Sequence, residues 1–439
     1  MPDPKVLDRM RQDWNDRARE DPHYYVAFGR REQDHEEFLA SASDEVRAMR
    51  AELKRLAPPG RGAPRNLKAL EIGCGPGRIM RPLSRDFAEI HGVDISDEMI
   101  RLAAARLRDV PHAQVHHSEK SDLAMFPDES FDFVYSYAVF QHIPSRDVVL
   151  GYFLEARRVL KCGGVLKCQI NGLPESSAQY TAHYTTWEGV RIQPEEVKAF
   201  VRRHDFQLLA LEGAGTQYMW TTWRKQPPGW RAALRPVESQ MRIRAISNAL
   251  TGDQMVPASG PRAFAAIWVE NLPADCDLIG MEARMEDQPS VLSSISAPEW
   301  DGLVQLTAAI PPGCRTGLVA VELSWLGRPL APPAWMRVVP PGPVVPRLVA
   351  VRDGDNQLSG TRIISRFVKV IFDETQRPDL VRAEFDGVAA QKTLTVCTNP
   401  VEQRHEINFR LPDSIGPGGH ALRLHIGTRD FPPVAIEVV

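Results

Sequence analysis

The run Leu70-Glu71-Ile72-Gly73-Cys74-Gly75-Pro76-Gly77-Arg78 sets three glycines at alternate positions behind an apolar stretch. Glycines so spaced let a chain turn sharply and bring bare backbone against a ligand, where a Cβ would intrude. A helix starting behind such a loop turns free N–H groups toward a negative group. Seventeen positions past Gly77, His91-Gly92-Val93-Asp94-Ile95-Ser96 closes a second apolar run on a carboxylate. In a nucleotide-binding sheet, an acid ending the second strand is placed to accept hydrogen bonds from two ribose hydroxyls. Asp94 has a competing role as N-cap of the following helix, which Ser96 or Asp97 can fill instead. The GxGxG spacing leaves less room than the GxGxxG of a pyrophosphate fingerprint.

Such residues need a sheet to hold them. The pattern predicts strands at Leu67–Ile72, Glu89–Val93, Ala113–His117, Phe131–Tyr137 and Gly164–Ile170. Helices are predicted between them at Ile79–Phe87, Asp97–Arg108 and Arg146–Val159, then at Pro194–His204. Phe206–Glu212 and Gln217–Arg224 read as a closing strand pair. Alternation of this kind implies a parallel sheet with helices on both faces. Residues 5–56 read as helical, with Pro22-His23-Tyr24-Tyr25 separating two helices, and Pro58–Pro64 is a breaker stretch.

The character changes after Gln226-Pro227-Pro228-Gly229. Short β-rich runs separated by proline and glycine take over, with one further helical period around Trp230–Met241. Ala263–Glu270 echoes Arg366–Asp373, Asp277–Glu282 echoes Asp379–Glu384, and Leu306–Pro311 echoes Asn408–Pro412. Val319–Arg328 echoes Ala421–Arg429, and each copy ends in a Val-Val pair. An offset near a hundred residues is the size of an immunoglobulin-like sandwich. Pro340-Pro341-Gly342-Pro343 serves as the stiff linker between copies. A single larger β-sandwich with coincidental similarity is the alternative.

At this point the chain resembles the class I S-adenosylmethionine-dependent methyltransferases, over roughly residues 60–225. Glu71–Gly77 looks like their first motif and Val93-Asp94 like their second-strand acid. Phe126–Val134 looks like the approach to their fourth strand, and Val139-Phe-Gln-His-Ile-Pro144 like the loop after it. Arg158-Val-Leu-Lys-Cys-Gly-Gly164 looks like the turn before their fifth. The fold class expected is α/β: a doubly wound, Rossmann-like, seven-stranded methyltransferase sheet with an N-terminal helical cap, then two all-β immunoglobulin-like sandwiches. The expected domains are 1–228 (cap 1–57), 229–342 and 343–439.

The resemblance implies roles. Glu71, Gly73, Cys74, Gly75 and Gly77 would contact the amino-acid end of S-adenosylmethionine. Asp94 would hold the ribose, Ile95 would pack on the adenine, and Glu119 and Lys120 would sit at the adenine edge. Relatives often carry Gly-Asp or Asn-Gly at that last position, so Glu119-Lys120 departs from the pattern. Tyr137, Gln141 and His142 would lie beside the sulfonium. His142 is the candidate general base, a neutral imidazole being able to take a proton near pH 7; a role in shaping the pocket stands equally open. Tyr24 and Tyr25 of the cap, Asn171, and the aromatic segment with His183, Tyr184 and Trp187 are the substrate-pocket candidates. Packing of the cap, a turn, or an ordinary loop are the respective alternatives.

Bulk properties exclude other classes. The chain has 439 residues, 43% hydrophobic and 25% charged, with a net charge of −3. That balance draws it neither to nucleic acid nor to an anionic membrane. No Asn-Pro-Pro-Tyr-like motif follows the fourth strand, which favours a small-molecule acceptor over a nucleic-acid base. No apolar run nears 18 residues, no signal-peptide pattern opens the chain, and no cysteine or histidine spacing fits a metal. A cytoplasmic protein with reduced thiols and no metal is expected. The competing reading is a binding or scaffolding protein whose β-domains grip a partner, a carbohydrate or a second subunit, which leaves a homodimer through those domains open.

Overall fold

The computed structural model describes residues 4–27, 31–56, 66–174, 185–342, 345–356, 359–375, 377–399 and 403–439. Seven strands build the first sheet: β1 (Lys68–Ile72), β2 (Glu89–Asp94), β3 (Ala113–His117), β4 (Phe131–Ser136), β5 (Leu160–Ile170), β6 (Phe206–Glu212) and β7 (Met219–Lys225). Their order is β3-β2-β1-β4-β5-β7-β6. The first five run parallel, and β7 is antiparallel to both β5 and β6. β1 and β4 are buried along almost their whole length, as strands covered on both faces are. Chain order reverses between β1 and β4, so a crevice opens beyond the carboxyl ends of those strands.

The helices are α1 (Pro4–Glu20), α2 (Pro22–Ala27), α3 (His35–Ala40), α4 (Ser43–Leu53), α5 (Met80–Leu83), α6 (Asp97–Arg106), α7 (Arg146–Val159), α8 (Pro194–Arg203) and α9 (Trp230–Ala233). Three expectations are corrected here. The described residues of 5–56 hold four α-helices rather than two, and Pro22 opens α2 one residue after α1 ends. Proline fits a helix's first turn, where its missing N–H has no partner to lose. The expected helix Ile79–Phe87 is one α-turn followed by a 3-10 turn, Ser84–Asp86. The helical period around Trp230–Met241 stops at Ala233, since Pro236 forbids helical geometry just before it.

Later in the chain the expected repeat appears as two sandwiches of one topology. In the first, Leu292–Ile295, Val304–Ala309, Phe264–Glu270 and Arg242–Asn248 form one sheet in that spatial order. Gln288–Ser290, Met281–Met285, Gly317–Trp325, Ala334–Val339 and Met255–Pro257 form the other. The second copy repeats both orders, with Gln391–Asn399, Arg404–Arg410, Phe367–Asp373 and Arg347–Asp353, then Val388–Ala389, Val381–Phe385, Gly418–Ile426, Val434–Val438 and Arg362–Ile363. Each encloses its own apolar core, around Trp325 and Phe385 respectively.

Contacts divide the chain into two compact units. One comprises Met1–Pro22, Glu36–Ser259 and Ala263–Pro340; the other comprises His23–His35, Gly260–Arg262 and Pro341–Val439. Within the first unit, Ala210 of β6 pairs with Ser294, and the methyltransferase-like sheet continues into the first sandwich as eleven strands. An edge strand left bare would template aggregation, and this pairing covers it. The buried Gln207 amide donates to the carbonyls of Ala274 and Cys276, reinforcing the same seam. A partition at 228/229 and 342/343 is proposed by architecture, whereas contacts merge its first two parts.

The second unit contains α2 beside its sandwich, so Tyr24 and Tyr25 are not part of the cap as expected. Their rings meet edge-on at 5.2 Å, and the Arg31 guanidinium lies 4.4 Å over Tyr24. Burial, aided by the nearby Asp355 carboxylate, pushes the Tyr24 phenol up to about 12.

Candidate active site

The glycine loop lies at the carboxyl end of β1. Gly73 and Cys74 both donate to the Val93 carbonyl, at 2.8 and 3.0 Å, which folds the loop over the end of β2. Gly73, Gly75 and Gly77 have φ of +71, +49 and +79, the left-handed region that glycine enters without penalty. A Cβ on Gly73 would stand 2.3 Å from Cγ2 of Val139. Gly92, on β2, is a site residue that sequence reasoning passed over: its Cβ would meet Met80 Sδ at 2.6 Å and Cys74 Cβ at 2.7 Å. A glycine two residues before a strand-ending acid was the available signal.

Asp94 is pinned on both oxygens. Gly75 N–H donates to Oδ2 and Ser96 N–H to Oδ1, each at 2.9 Å. Burial raises its pKa, opposed by those two N–H donors. The cap of α6 falls to Ser96, whose Oγ accepts from Met99 N–H at 3.0 Å. The competing capping duty is therefore taken, and Asp94 is left to the loop. Ile95 is buried beside it, and its carbonyl accepts from His117 Nε2 at 3.1 Å. The side chains of Glu119 and Lys120 point to solvent.

Glu71 is buried and accepts from the Tyr135 hydroxyl at 2.9 Å. Burial pushes its pKa up to about 8, against the lowering pull of Tyr135 and Arg78. Glu71 thus braces the loop from beneath. Tyr137 stacks on Trp220 at 5.6 Å, with Arg78 5.5 Å over its ring. Arg78 is itself buried, donates to Ser41 Oγ at 3.2 Å, and keeps an Nε with no partner.

His142 and Trp187 are brought together. His142 Nδ1 lies 2.8 Å from the Trp187 carbonyl, and the two rings are 5.2 Å apart. Trp14 of α1 meets His142 edge-on at 5.5 Å, and Arg17 lies over both Trp14 and Trp187. Burial drives the His142 pKa down to about 4. The Gln141 amide approaches His142 Nε2 at 3.3 Å, while Gln141 Oε1 is buried with no partner. Asn171 accepts from Leu173 N–H at 3.1 Å, a turn-forming contact, and its carbonyl receives Ile192 N–H. His183 and Tyr184 lie outside the described residues.

α1 carries a second unforeseen contributor. Asn15 accepts from Ser96 Oγ at 2.6 Å and donates to Asp97 Oδ1 at 2.6 Å, tying the helix to the start of α6. Beside it, Thr186 donates to Asp13 and accepts from Arg17. A polar residue on the apolar face of α1 was the only hint in the sequence. Among the described residues no group of His, Cys, Asp and Glu could hold a metal, and no helix is long and apolar enough to cross a membrane. The six cysteines are free.

Strand order, glycine loop and second-strand acid together define a class I S-adenosylmethionine-dependent methyltransferase domain in the first part of the chain. Residues 70–168 match the family model described as "Methyltransferase domain". Among curated relatives, phosphoethanolamine N-methyltransferase 2 of Caenorhabditis elegans is 35% identical over 97 residues, 22% of each chain. A ubiquinone biosynthesis O-methyltransferase of Cereibacter sphaeroides is 30% identical over 113 residues, 26% of this chain and 44% of that one. The chain thus spans less than half the length of these relatives. Among solved structures, Haemonchus contortus phosphoethanolamine N-methyltransferase 1 aligns with a TM-score of 0.39 and 14% identity, over 54% of this chain and 52% of that one.

Proposed function

We propose that this chain transfers a methyl group from S-adenosylmethionine to an oxygen or nitrogen of a small-molecule acceptor. The observation that carries the reading is Asp94, held by the Gly75 and Ser96 N–H groups while Ser96 alone caps α6. A half-buried carboxylate at the ribose position, beside bare loop backbone, fits a nucleoside with an amino-acid tail. Gly73, Cys74, Gly75 and Gly77 take that tail, and Ile95 lies against the base. The main chain at Glu119 and Lys120, rather than their solvent-facing side chains, lines its edge. The sulfonium supplies an electrophilic methyl group when the cofactor is bound.

The protein's part is to dock the acceptor in line with the methyl group and keep water away. Tyr137 and Gln141 stand on the acceptor side. His142 acts as a positioning residue: its Nδ1 is engaged by a carbonyl, and a depressed pKa makes its Nε2 a poor base. The relatives named above act, by their names, on one nitrogen and one oxygen acceptor, which supports that acceptor class.

Calorimetry with S-adenosylhomocysteine tests the reading. The wild-type chain is expected to bind it, and Asp94→Ala to weaken it at least ~10-fold through two lost ribose hydrogen bonds. Equal affinity of the two proteins overturns the role of Asp94. Absence of labelled methyl transfer to a panel of amines, phenols and carboxylic acids by a cofactor-binding chain overturns the proposed reaction.

A further inference from the structure

The two sandwiches are an internal control on each other. Register aligns them position by position: Leu318 opposes Arg337 and Ala320 opposes Trp335 in the first, as Gly419 opposes Glu437 and Ala421 opposes Ala435 in the second. Met255 pairs with Arg337 as Arg362 pairs with Glu437. All these positions face outward from the same sheet. In the second copy the set Arg362, Gly419, Ala435 and Glu437 is what an outer sheet face ordinarily carries. In the first copy the same positions hold Met255, Leu318, Trp335 and Arg337, and the three apolar ones are 52%, 50% and 64% exposed. One topology is built with either set, so the fold does not require the apolar one. Single exposed apolar residues are common, but a group of three large ones at positions where the sister copy carries an arginine, a glycine and an alanine marks a contact face.

We infer that this face pairs with the same face of a second copy of the chain. The charges on it are Glu282, Arg284, Glu322 and Arg337, two of each sign. A balanced set suits a self-complementary contact and gives no attraction for a polyanion or an acidic bilayer. The relief is self-complementary as well. Trp335 rises directly beside Ala320, a knob next to a hollow on adjacent strands. A two-fold axis along the strands between them exchanges the two columns. Each Trp335 then enters the hollow over its partner's Ala320, and each Arg337 stem lies over its partner's Leu318. Aligned sheets pack with strands nearly parallel, as this exchange requires. The second copy, with Ala435 in place of the tryptophan, has no knob to offer.

Sedimentation equilibrium of the full chain across the micromolar range tests the pairing. The wild type is expected at twice its 49.1 kDa chain mass. Trp335→Ala should raise the dimer dissociation constant roughly 30-fold or more, as loss of a central tryptophan anchor does. The exchange Met255→Arg, Leu318→Gly, Trp335→Ala and Arg337→Glu, which writes the second copy's residues into the first, should leave a monomer. If that fourfold variant misfolds by thermal melt, the single Trp335→Ala variant decides, since it trims only exposed surface. A wild type that stays monomeric throughout, or a dimer that neither variant weakens, overturns the inference. None of these residues belongs to the cofactor site, so both outcomes are read apart from methyl transfer: S-adenosylhomocysteine affinity should be equal in all three proteins.

Discussion

The Nδ1 atom of His142 lies 2.8 Å from the main-chain oxygen of Trp187. A carbonyl oxygen can only accept, so Nδ1 of His142 carries a proton, and burial, which drives the pKa down to about 4 against the pull of that hydrogen bond, keeps the ring neutral near pH 7. The contact joins the loop after β4 to Trp187, the described end of the aromatic segment. Arg17, over Trp187 and bonded to Thr186, fastens α1 to the same place.

This tautomer gives a signed prediction for stability. The folded state holds His142 neutral, while the unfolded chain protonates it near 6.5. Between those values the unfolded state binds more protons, so stability is whole above pH 6.5 and is lost as pH falls toward 4. The loss attributable to this group is about 3 kcal/mol at most. Urea melts at pH 7 and pH 4.5 should therefore show a larger acid penalty for the wild type than for His142→Asn, which keeps an N–H donor for the Trp187 carbonyl. Equal acid sensitivity of the two would mean that the ring is hydrated and free to charge.

Glu71 acts with the opposite sign. Its pKa, pushed up to about 8, means that the folded chain retains a proton that the unfolded chain releases near 4.5. Its contribution is whole below 4.5 and disappears as pH rises through 8. Glu71→Gln keeps the shape without the charge, and so should gain on the wild type from pH 5 to about pH 8 and level off above it. A constant stability difference across that range would place the carboxylate in a better-paired state than Tyr135 and Arg78 provide.

Much of this architecture is legible in the residues, and the reasons differ by element. Short apolar stretches bounded by turn residues mark β1, β2 and β4, which are found within a residue or two of their expected limits although charged residues interrupt each of them. The repeat is visible because both copies keep the same alternation. The pairing of Ala210 with Ser294 is invisible, since one bridge between strands far apart in sequence leaves no local pattern. Pro22 misleads because the same residue that breaks a helix interior also begins a helix. In the site, the glycine loop and Asp94 announce themselves by type and spacing. Asn15 does not: it bonds Ser96 and Asp97 across the fold, and such a partner is a tertiary fact.

Asn15 is accordingly the next test. Removing its side chain by Asn15→Ala strips Ser96 Oγ of its acceptor and Asp97 of its donor in a part-buried place. A lost buried partner costs about 1–3 kcal/mol. The melting temperature should fall, and S-adenosylhomocysteine affinity should fall with it, because Ser96 N–H is one of the two groups aiming Asp94. Calorimetry that finds full affinity in a destabilised variant would confine Asn15 to holding α1 in place.

The glycine at position 73 offers a test in which strain and collision are separable. With φ at +71, alanine there takes on left-handed strain of roughly 1–2 kcal/mol wherever its methyl group points. The methyl group would also stand 2.3 Å from Val139 Cγ2, so Val139 must move or the loop must lift from β1. Gly73→Ala should therefore abolish cofactor binding while the rest of the chain still folds. The pair Gly73→Ala with Val139→Ala removes the two colliding methyl groups and leaves the backbone strain with a 3.0 Å approach to the Cβ of residue 139. It should recover part of the lost affinity, while Val139→Ala alone leaves affinity near the wild-type value. A double variant as impaired as Gly73→Ala alone would assign the whole effect to backbone conformation, with Val139 a bystander.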